Sequence, residues 1–493
     1  MLNSSRMKPT ILFLTAIALV TNVLGQDAAA PDISKLKVDE LCALLCAPCH
    51  GQNFEGGVGT SLVDGVWKHG ESDEAISRSI AKGNPQLGMT PWEGILTEDQ
   101  IRSVVIFLRE KEREAELNGI EQPRPKPGEV VQTEREKYVI ETVVGEGLEN
   151  PWAIAFFPDG RRLVTERAGR LRVIEADGSL NPEPIQGLPP VIQHGQGGLL
   201  EVALHPNYSE NGWIYLGFSD GWYVEGNQAD QARNRPQPRT LTAVVRGRIK
   251  DGSWVDQEWI YRADSRFYTN AGVHFGTRFV FDQGYLYFVV GERGGWHEAQ
   301  DLSRPNGKIF RLHDDGRIPE DNPFIENKAA LPGIWSYGHR NPQGLTLDPR
   351  DGTIYSTEHG PRGGDELNEI GRGRNYGWPV ITYGMNYNGT PITSKTFQDG
   401  MEQPLTYWVP SIAVCGLDFY SGKTFPNWTN DLFAGALRQQ EVRRIRVVNQ
   451  KVVEQETVLK GLGRVRDVAA GPDGFIYVVL NEPHSIIRLV PAP

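Results

Sequence analysis

Two kinds of hydrophobic periodicity divide the chain. Near its start, residues 35–47 place Val38, Leu41, Leu44 and Leu45 on one side of a predicted helix. Residues 99–116 repeat the pattern with Ile101, Val104, Val105 and Leu108, behind Thr97 as a predicted N-cap. The segment between them is glycine-rich and reads as short in regular structure. Helical periodicity then stops. Residues 119–132 hold Pro123, Pro125 and Pro127 among charged side chains, the composition of a semi-rigid linker.

Beyond the linker, short apolar strands alternate with turns, and one motif recurs six times. Phe156-Phe157-Pro158-Asp159-Gly160 leads into a strand over 162–166, and Leu204-His205-Pro206 with Asn211-Gly212 into 213–218. Phe281-Asp282-Gln283-Gly284 leads into 285–290, and Leu347-Asp348-Pro349 with Asp351-Gly352 into 353–357. Phe425-Pro426-Asn427 leads into 432–436, and Gly471-Pro472-Asp473-Gly474 into 475–480. Asp-Gly and Asn-Gly pairs supply tight turns. Six copies, roughly fifty to seventy-five residues apart, predict a propeller of six four-stranded blades. Insertions at 221–240 and 386–404 are expected as loops that shape a substrate site. The fold class is therefore multidomain: an all-α domain over 35–118, a linker over 119–134, and an all-β six-bladed propeller over 135–493.

Composition narrows the setting. Arg6 and Lys8, an apolar run over 11–20 and Val23-Leu24-Gly25 predict a cleaved signal peptide over 1–25. The apolar run is shorter than the ~20 residues of a membrane-spanning helix. An exported, soluble, periplasmic protein is expected. The formal net charge of −11 argues against a nucleic-acid partner. Four cysteines among 493 residues do not make a disulfide framework. Three of them, Cys42, Cys46 and Cys49, crowd together, and Cys415 stands alone.

Cys46-Ala47-Pro48-Cys49-His50 is the attachment signal for a c-type haem. Two thiols at that spacing suit thioethers to the haem vinyls, and the next histidine reaches iron from the same turn. A thioredoxin-like pair or half a zinc site fits less well, because no second cysteine pair follows. Met89, in Gly88-Met89-Thr90-Pro91-Trp92, is the leading sixth ligand and His69 a weaker one. With Trp67 and the C-terminal helix, the module resembles small class I cytochromes c, which implies electron transfer. Cys42 reads as a packed thiol.

In the second domain, polar residues gather where strands meet loops. The density of arginine suggests an anionic ligand, since a guanidinium fork matches a carboxylate. Gly338-His339-Arg340-Asn341-Pro342-Gln343-Gly344, residues 358–366, Gly373-Arg374-Asn375-Tyr376-Gly377-Trp378-Pro379 and Arg464-Val465-Arg466-Asp467-Val468 form several long strings. Through them, residues 138–490 resemble the soluble pyrroloquinoline quinone (PQQ) dehydrogenases of the aldose sugar and glucose dehydrogenase type, which are six-bladed propellers.

The resemblance implies His274 as general base and Arg340 as the group that stabilises negative charge on the quinone. It implies Asn341, Arg438, Arg464 and Arg466 as PQQ-binding residues. Gly360 and Pro361 correspond to carbonyl ligands of a calcium ion, and Glu366 and Tyr376 to a further calcium region. Gln196, His359 and Trp408 correspond to residues near the sugar or quinone, as does Ser411. Val273 and His359 replace an aspartate and a glutamine of the glucose enzyme, which implies broad specificity. The expected activity is oxidation of an aldose at C1 to its lactone. Electrons would pass to the fused haem and then to a respiratory acceptor, such as a soluble cytochrome or an oxidase. Competing readings are a PQQ dehydrogenase of another alcohol or larger sugar, and a non-redox calcium-dependent lactonase or binding propeller.

Overall fold

The computed structural model describes residues 32–118, 124–225 and 236–492. The predicted signal peptide and residues 119–123 of the predicted linker lie outside these. The chain divides into two compact units between Glu112 and Arg113.

The first unit is helical. Helix α1 (Val38–Leu45) buries Val38, Leu41 and Cys42, and α2 (Ala47–His50) follows at once. The expected helix over 35–47 therefore starts later, at Val38, after a single 3-10 turn over Ile33–Lys35. Helix α3 (Asp73–Lys82) was not expected. It starts at Ser72, whose side chain accepts from Ala75 N–H, and buries Ala75, Ile76 and Ile80 on one face before ending at Gly83. Helix α4 (Glu98–Leu117) matches expectation. Thr97 Oγ1 accepts from Gln100 N–H (3.2 Å), and Gln100 Oε1 accepts from Thr97 N–H (3.0 Å), a reciprocal cap.

The second unit is a six-bladed propeller. The first strands of its blades are Pro151–Phe156, Leu199–Leu204, Phe279–Asp282, Pro342–Leu347, Val414–Tyr420 and Val465–Ala470. Successive first strands pack on one another around a closed ring. The six strands expected after the repeated turns are the second strands: Arg162–Glu166, Ile214–Val224, Tyr285–Val290, Ile354–Glu358, Asp431–Ala436 and Ile476–Asn481. Each pairs antiparallel with the first strand of its blade. Apolar side chains between neighbouring sheets form the core.

Four blades have four strands, but two depart from the expected count. The first has three. The last has five, because Lys137–Val144 pairs with the C-terminal strand His484–Pro491, and Val130–Gln132 adds outside it. The far end of the expected linker is thus a strand. The insertion at 221–240 is not simply a loop either, since Gly221 to Val224 and Gln237 to Thr240 continue the hairpin ladder; residues 226–235 between them lie outside the described part. The insertion at 386–404 contains no strand. Among the described residues, no helix is long and apolar enough to cross a membrane.

Trp428 anchors the closing blades. It is fully buried against Phe425 (4.7 Å), Phe433 (5.3 Å) and Tyr138 (6.0 Å between ring centroids). Trp428→Ala should lower unfolding stability by about 3–5 kcal/mol, read from the propeller's denaturant midpoint.

Candidate active site and haem-attachment site

Propeller topology explains why distant sequence strings meet. The first strands run in the same sense around the axis, so the loops that precede them share one end of the ring. Those loops hold Gln196, His274, Arg340, Asn341 and Arg464. Because second strands are antiparallel, their C-terminal ends lie at the same rim, adding Glu292 and His359. The Asp-Gly turns lie at the opposite end.

His274 sits in a left-handed backbone conformation, φ 54°. Its N–H donates to Gln196 Oε1 (2.9 Å), and its Nδ1 bonds Glu292 Oε1. That bond assigns the proton to Nδ1 and leaves Nε2 as an acceptor. Burial and the nearby Arg340 charge lower the His274 pKa below its ordinary value, against the opposing effect of Glu292. The neutral imidazole of a general base is therefore favoured. Glycine is required beside it: a Cβ on Gly291 would lie 2.1 Å from His274 O.

Arg340 is buried. Its Nη1 donates to the carbonyls of His359 (3.0 Å) and Gly360 (2.7 Å), and its N–H to Glu358 Oε2 (2.8 Å). Asn341 Oδ1 accepts from Gly276 N–H (3.3 Å) and Gln343 Nε2 (3.2 Å). Arg466 donates to Asn481 Oδ1 (2.9 Å) and Gln343 Oε1 (3.1 Å), and lies 3.9 Å from the Trp152 ring centroid. Burial pushes its pKa down to about 10, with Arg278, Arg464 and Arg167 contributing repulsion. His359 falls well below the usual imidazole range through burial, then the charges of Arg466, Arg340 and His274. His274, His359, Arg340 and Arg466 thus act on one another, with Arg464 beside them.

Of the other expected site residues, Ser411 precedes a first strand and Arg438 follows a second strand at this same rim, and several are already engaged. Arg438 is exposed. Trp408 lies on the outermost strand of its blade, within the interblade core, and its indole donates to Gln455 Oε1 (3.1 Å). Ser411 donates to Asp365 Oδ1 (2.5 Å). The Tyr376 hydroxyl donates to Glu369 O (2.5 Å) and accepts from Gly371 N–H (2.8 Å). Glu366 accepts from Asn368 Nδ2 (3.1 Å), and burial beside Glu358 and Asp365 pushes its pKa up to about 8.

The rim fits a polyanionic quinone. Arg340 Nε, Arg167 Nε and His359 Nε2 are buried without protein partners, and the surrounding charge is mainly cationic. Calcium fits only in part. Among the described residues there is no group of three or more His, Cys, Asp or Glu able to hold a metal, and the Gly360 carbonyl already accepts from Arg340. Gly360 and Pro361 offer carbonyl oxygens alone.

The first unit fits haem attachment. Cys46 and Cys49 are free, and His50 Nδ1 contacts Thr60 O (2.7 Å), which orients the ring and leaves Nε2 for iron. Gly59 makes room, since a Cβ there would lie 2.8 Å from His50 Cε1. Val58, next to Gly59 in the chain, is exposed. Met89 lies in the loop after α3, its backbone paired with Asn84, and is partly exposed. Cys42 is buried one turn before Cys46, and its hydrogen bond holds the Cys46 thiol below its ordinary pKa against burial.

Together these features define a six-bladed β-propeller dehydrogenase joined to a cytochrome c-type domain. The family model for glucose/sorbosone dehydrogenase matches residues 148–488, and that for cbb3-type cytochrome c oxidase subunit III matches 37–108. Aldose sugar dehydrogenase YliI of Escherichia coli is 42% identical over 347 residues, covering 69% of this chain and 89% of the relative. The solved apo form of the soluble aldose sugar dehydrogenase from Escherichia coli is 39% identical, with TM-score 0.64, over 72% of this chain and all of that one. The PQQ-bound aldose sugar dehydrogenase from Streptomyces coelicolor is 25% identical, with TM-score 0.56, over 72% and 98% of the two chains. The chain belongs to the glucose/sorbosone dehydrogenase family.

The family resemblance points to His274 and Arg340 but gives no role to Glu292, although Gly291-Glu292-Arg293-Gly294 follows an apolar strand directly. Glu292→Gln removes the charge that raises the His274 pKa. The acid limb of kcat/KM should therefore move to lower pH, while its plateau falls on the order of 10²-fold. A pH–rate profile reads both.

Proposed function

We propose that this chain is a PQQ-dependent aldose dehydrogenase that oxidises C1 of a sugar to the lactone and delivers the electrons through its own haem c to a respiratory acceptor. The observation that carries the reading is the His274–Glu292 pair beside buried Arg340, on a chain that also bears Cys46, Cys49 and His50 in attachment spacing. When bound, PQQ supplies a two-electron oxidant, calcium a Lewis acid and haem c a one-electron carrier.

His274 Nε2 takes the C1 hydroxyl proton as the hydrogen on that carbon departs with its electron pair. Glu292 holds the ring and stabilises the imidazolium that forms. Arg340 places positive charge where negative charge develops, in a buried setting where it acts strongly. Arg464 and Arg466 would hold cofactor carboxylates, and Asn341 would orient the cofactor. Gln196 fixes the backbone of the base, and Val273 and His359 would shape the pocket. His50 and Met89 would hold the haem iron. Gly360 and Pro361 would offer carbonyl oxygens to calcium in this reading, and Glu366 and Tyr376 would belong to a second calcium region. The segment between helix α4 and the strand Val130–Gln132 would tether donor to acceptor and raise their effective concentration. The leader at 1–25 would direct export to the periplasm.

Haem absorbance of the protein reconstituted with PQQ and calcium tests this reading. An aldose should reduce the haem rapidly, and PQQ-free protein should not respond. An unchanged spectrum across aldoses and alcohols, with PQQ loaded and the haem reducible by dithionite, would contradict it.

A further inference from the structure

The second blade carries a feature that the reaction at His274 does not use. Its second strand runs six residues past Phe218, the partner of Leu199 at the start of the first strand. The ladder continues to Val224 opposite Gln237, so this extension stands on the side of the propeller that holds the site. Trp222 and Tyr223 are exposed on it.

These aromatics belong to a braced row. The Trp222 ring packs on Tyr268 at 4.9 Å and 34°. The Tyr268 hydroxyl donates to Asp220 Oδ2 (2.5 Å), and Arg262 forks onto the same carboxylate from Nε (2.8 Å) and Nη2 (3.3 Å). The Arg262 guanidinium lies 4.6 Å from the Trp259 ring centroid. Trp222 remains 39% exposed and Trp259 42%, and the Arg262 side chain is 51% exposed. Isolated surface tryptophans need no explanation, but two of them joined through a fixed ion pair form a preorganised surface.

The row is coupled to the candidate base. Thr240 and Thr269 exchange backbone bonds (2.8 and 3.3 Å), which pin the extension to the loop leading to His274. His274 follows Tyr268 by six positions, a span of at most about 22 Å even fully extended. Aromatic faces stack on the C–H faces of pyranose rings, and the half-exposed Arg262 guanidinium, held by the buried Asp220 carboxylate, donates to hydroxyls. This chemistry suits a sugar chain better than an apolar protein surface.

We propose that Trp222, Trp259 and Arg262, braced from beneath by buried Tyr268 and Asp220, form a distal subsite for the second and later rings of an oligosaccharide whose reducing end sits at His274. The inference rests on the aldose reading above and names its substrate class. It is tested on the full chain loaded with PQQ, calcium and haem, by comparing kcat/KM for glucose with that for maltotriose and cellotriose. For at least one trisaccharide, the ratio to glucose should fall about tenfold in Trp222→Ala and be largely kept in Trp222→Phe. Trp259→Ala is the second variant, and it should lower the same ratio. Ratios unchanged in both alanine variants, or a wild type that oxidises glucose but neither trisaccharide, overturn the subsite and leave the aldose reading standing. A wild type that oxidises no sugar at all overturns both.

Discussion

The Arg278 guanidinium ties the centre of the propeller together. Its Nη1 reaches Glu201 Oε2 and Asp467 Oδ1, both at 2.9 Å, on the first strands of the second and sixth blades. Its Nε donates to Gln343 O (2.8 Å) in the fourth blade and its Nη2 to Arg466 O (3.1 Å) in the sixth. A buried charge cluster of this kind is costly unless every partner is present, so it disfavours other arrangements of the ring. It also holds the backbones of the two residues, Gln343 and Arg466, whose side chains build the site floor. Pairing of Lys137–Val144 with His484–Pro491 supplies the complementary constraint, closing the ring across almost the whole propeller sequence.

On this frame the site gathers like charges where burial makes them unfavourable. Arg466 has its pKa pushed down and His359 is held neutral, while Arg340 Nε lacks a protein partner. An anionic ligand offsets that repulsion, so the same electrostatics that weaken the unliganded site would strengthen ligand binding. Glu292 fixes the His274 ring within this positive field: it bonds Nδ1 and leaves Nε2 as the acceptor. The haem-attachment site uses the same device, with the Thr60 carbonyl fixing the His50 ring.

Local chemistry was legible in the sequence, and long-range pairing was not. Gly160, Gly284, Gly352 and Gly474 all take positive φ in the repeated turns, so the second strands could be placed to within a residue at their starts. Whether a blade has three, four or five strands depends on partners far away, and Val130–Gln132 is hidden in a proline-rich stretch. Helix α3 was missed because only Ala75, Ile76 and Ile80 mark its buried face. Arg340 stands in a recognisable string and His274 follows from the resemblance that such strings carry, whereas the contact of Glu292 with His274 arises only when two loops meet. The resemblance puts Trp408 near the sugar or quinone, whereas its strand is outermost and its side chain enters the interblade core.

The central claim is that His274 removes the proton from the hydroxyl on the carbon being oxidised. It is tested most directly by carbon-13 NMR of glucose labelled at C1, incubated with the PQQ- and calcium-loaded protein and an electron acceptor. The account predicts conversion of the labelled hemiacetal carbon into lactone and its hydrolysed acid, lost in His274→Ala by roughly 10²–10⁴-fold. Acceptor reduction with the C1 resonance unchanged, or full turnover by His274→Ala, would contradict it.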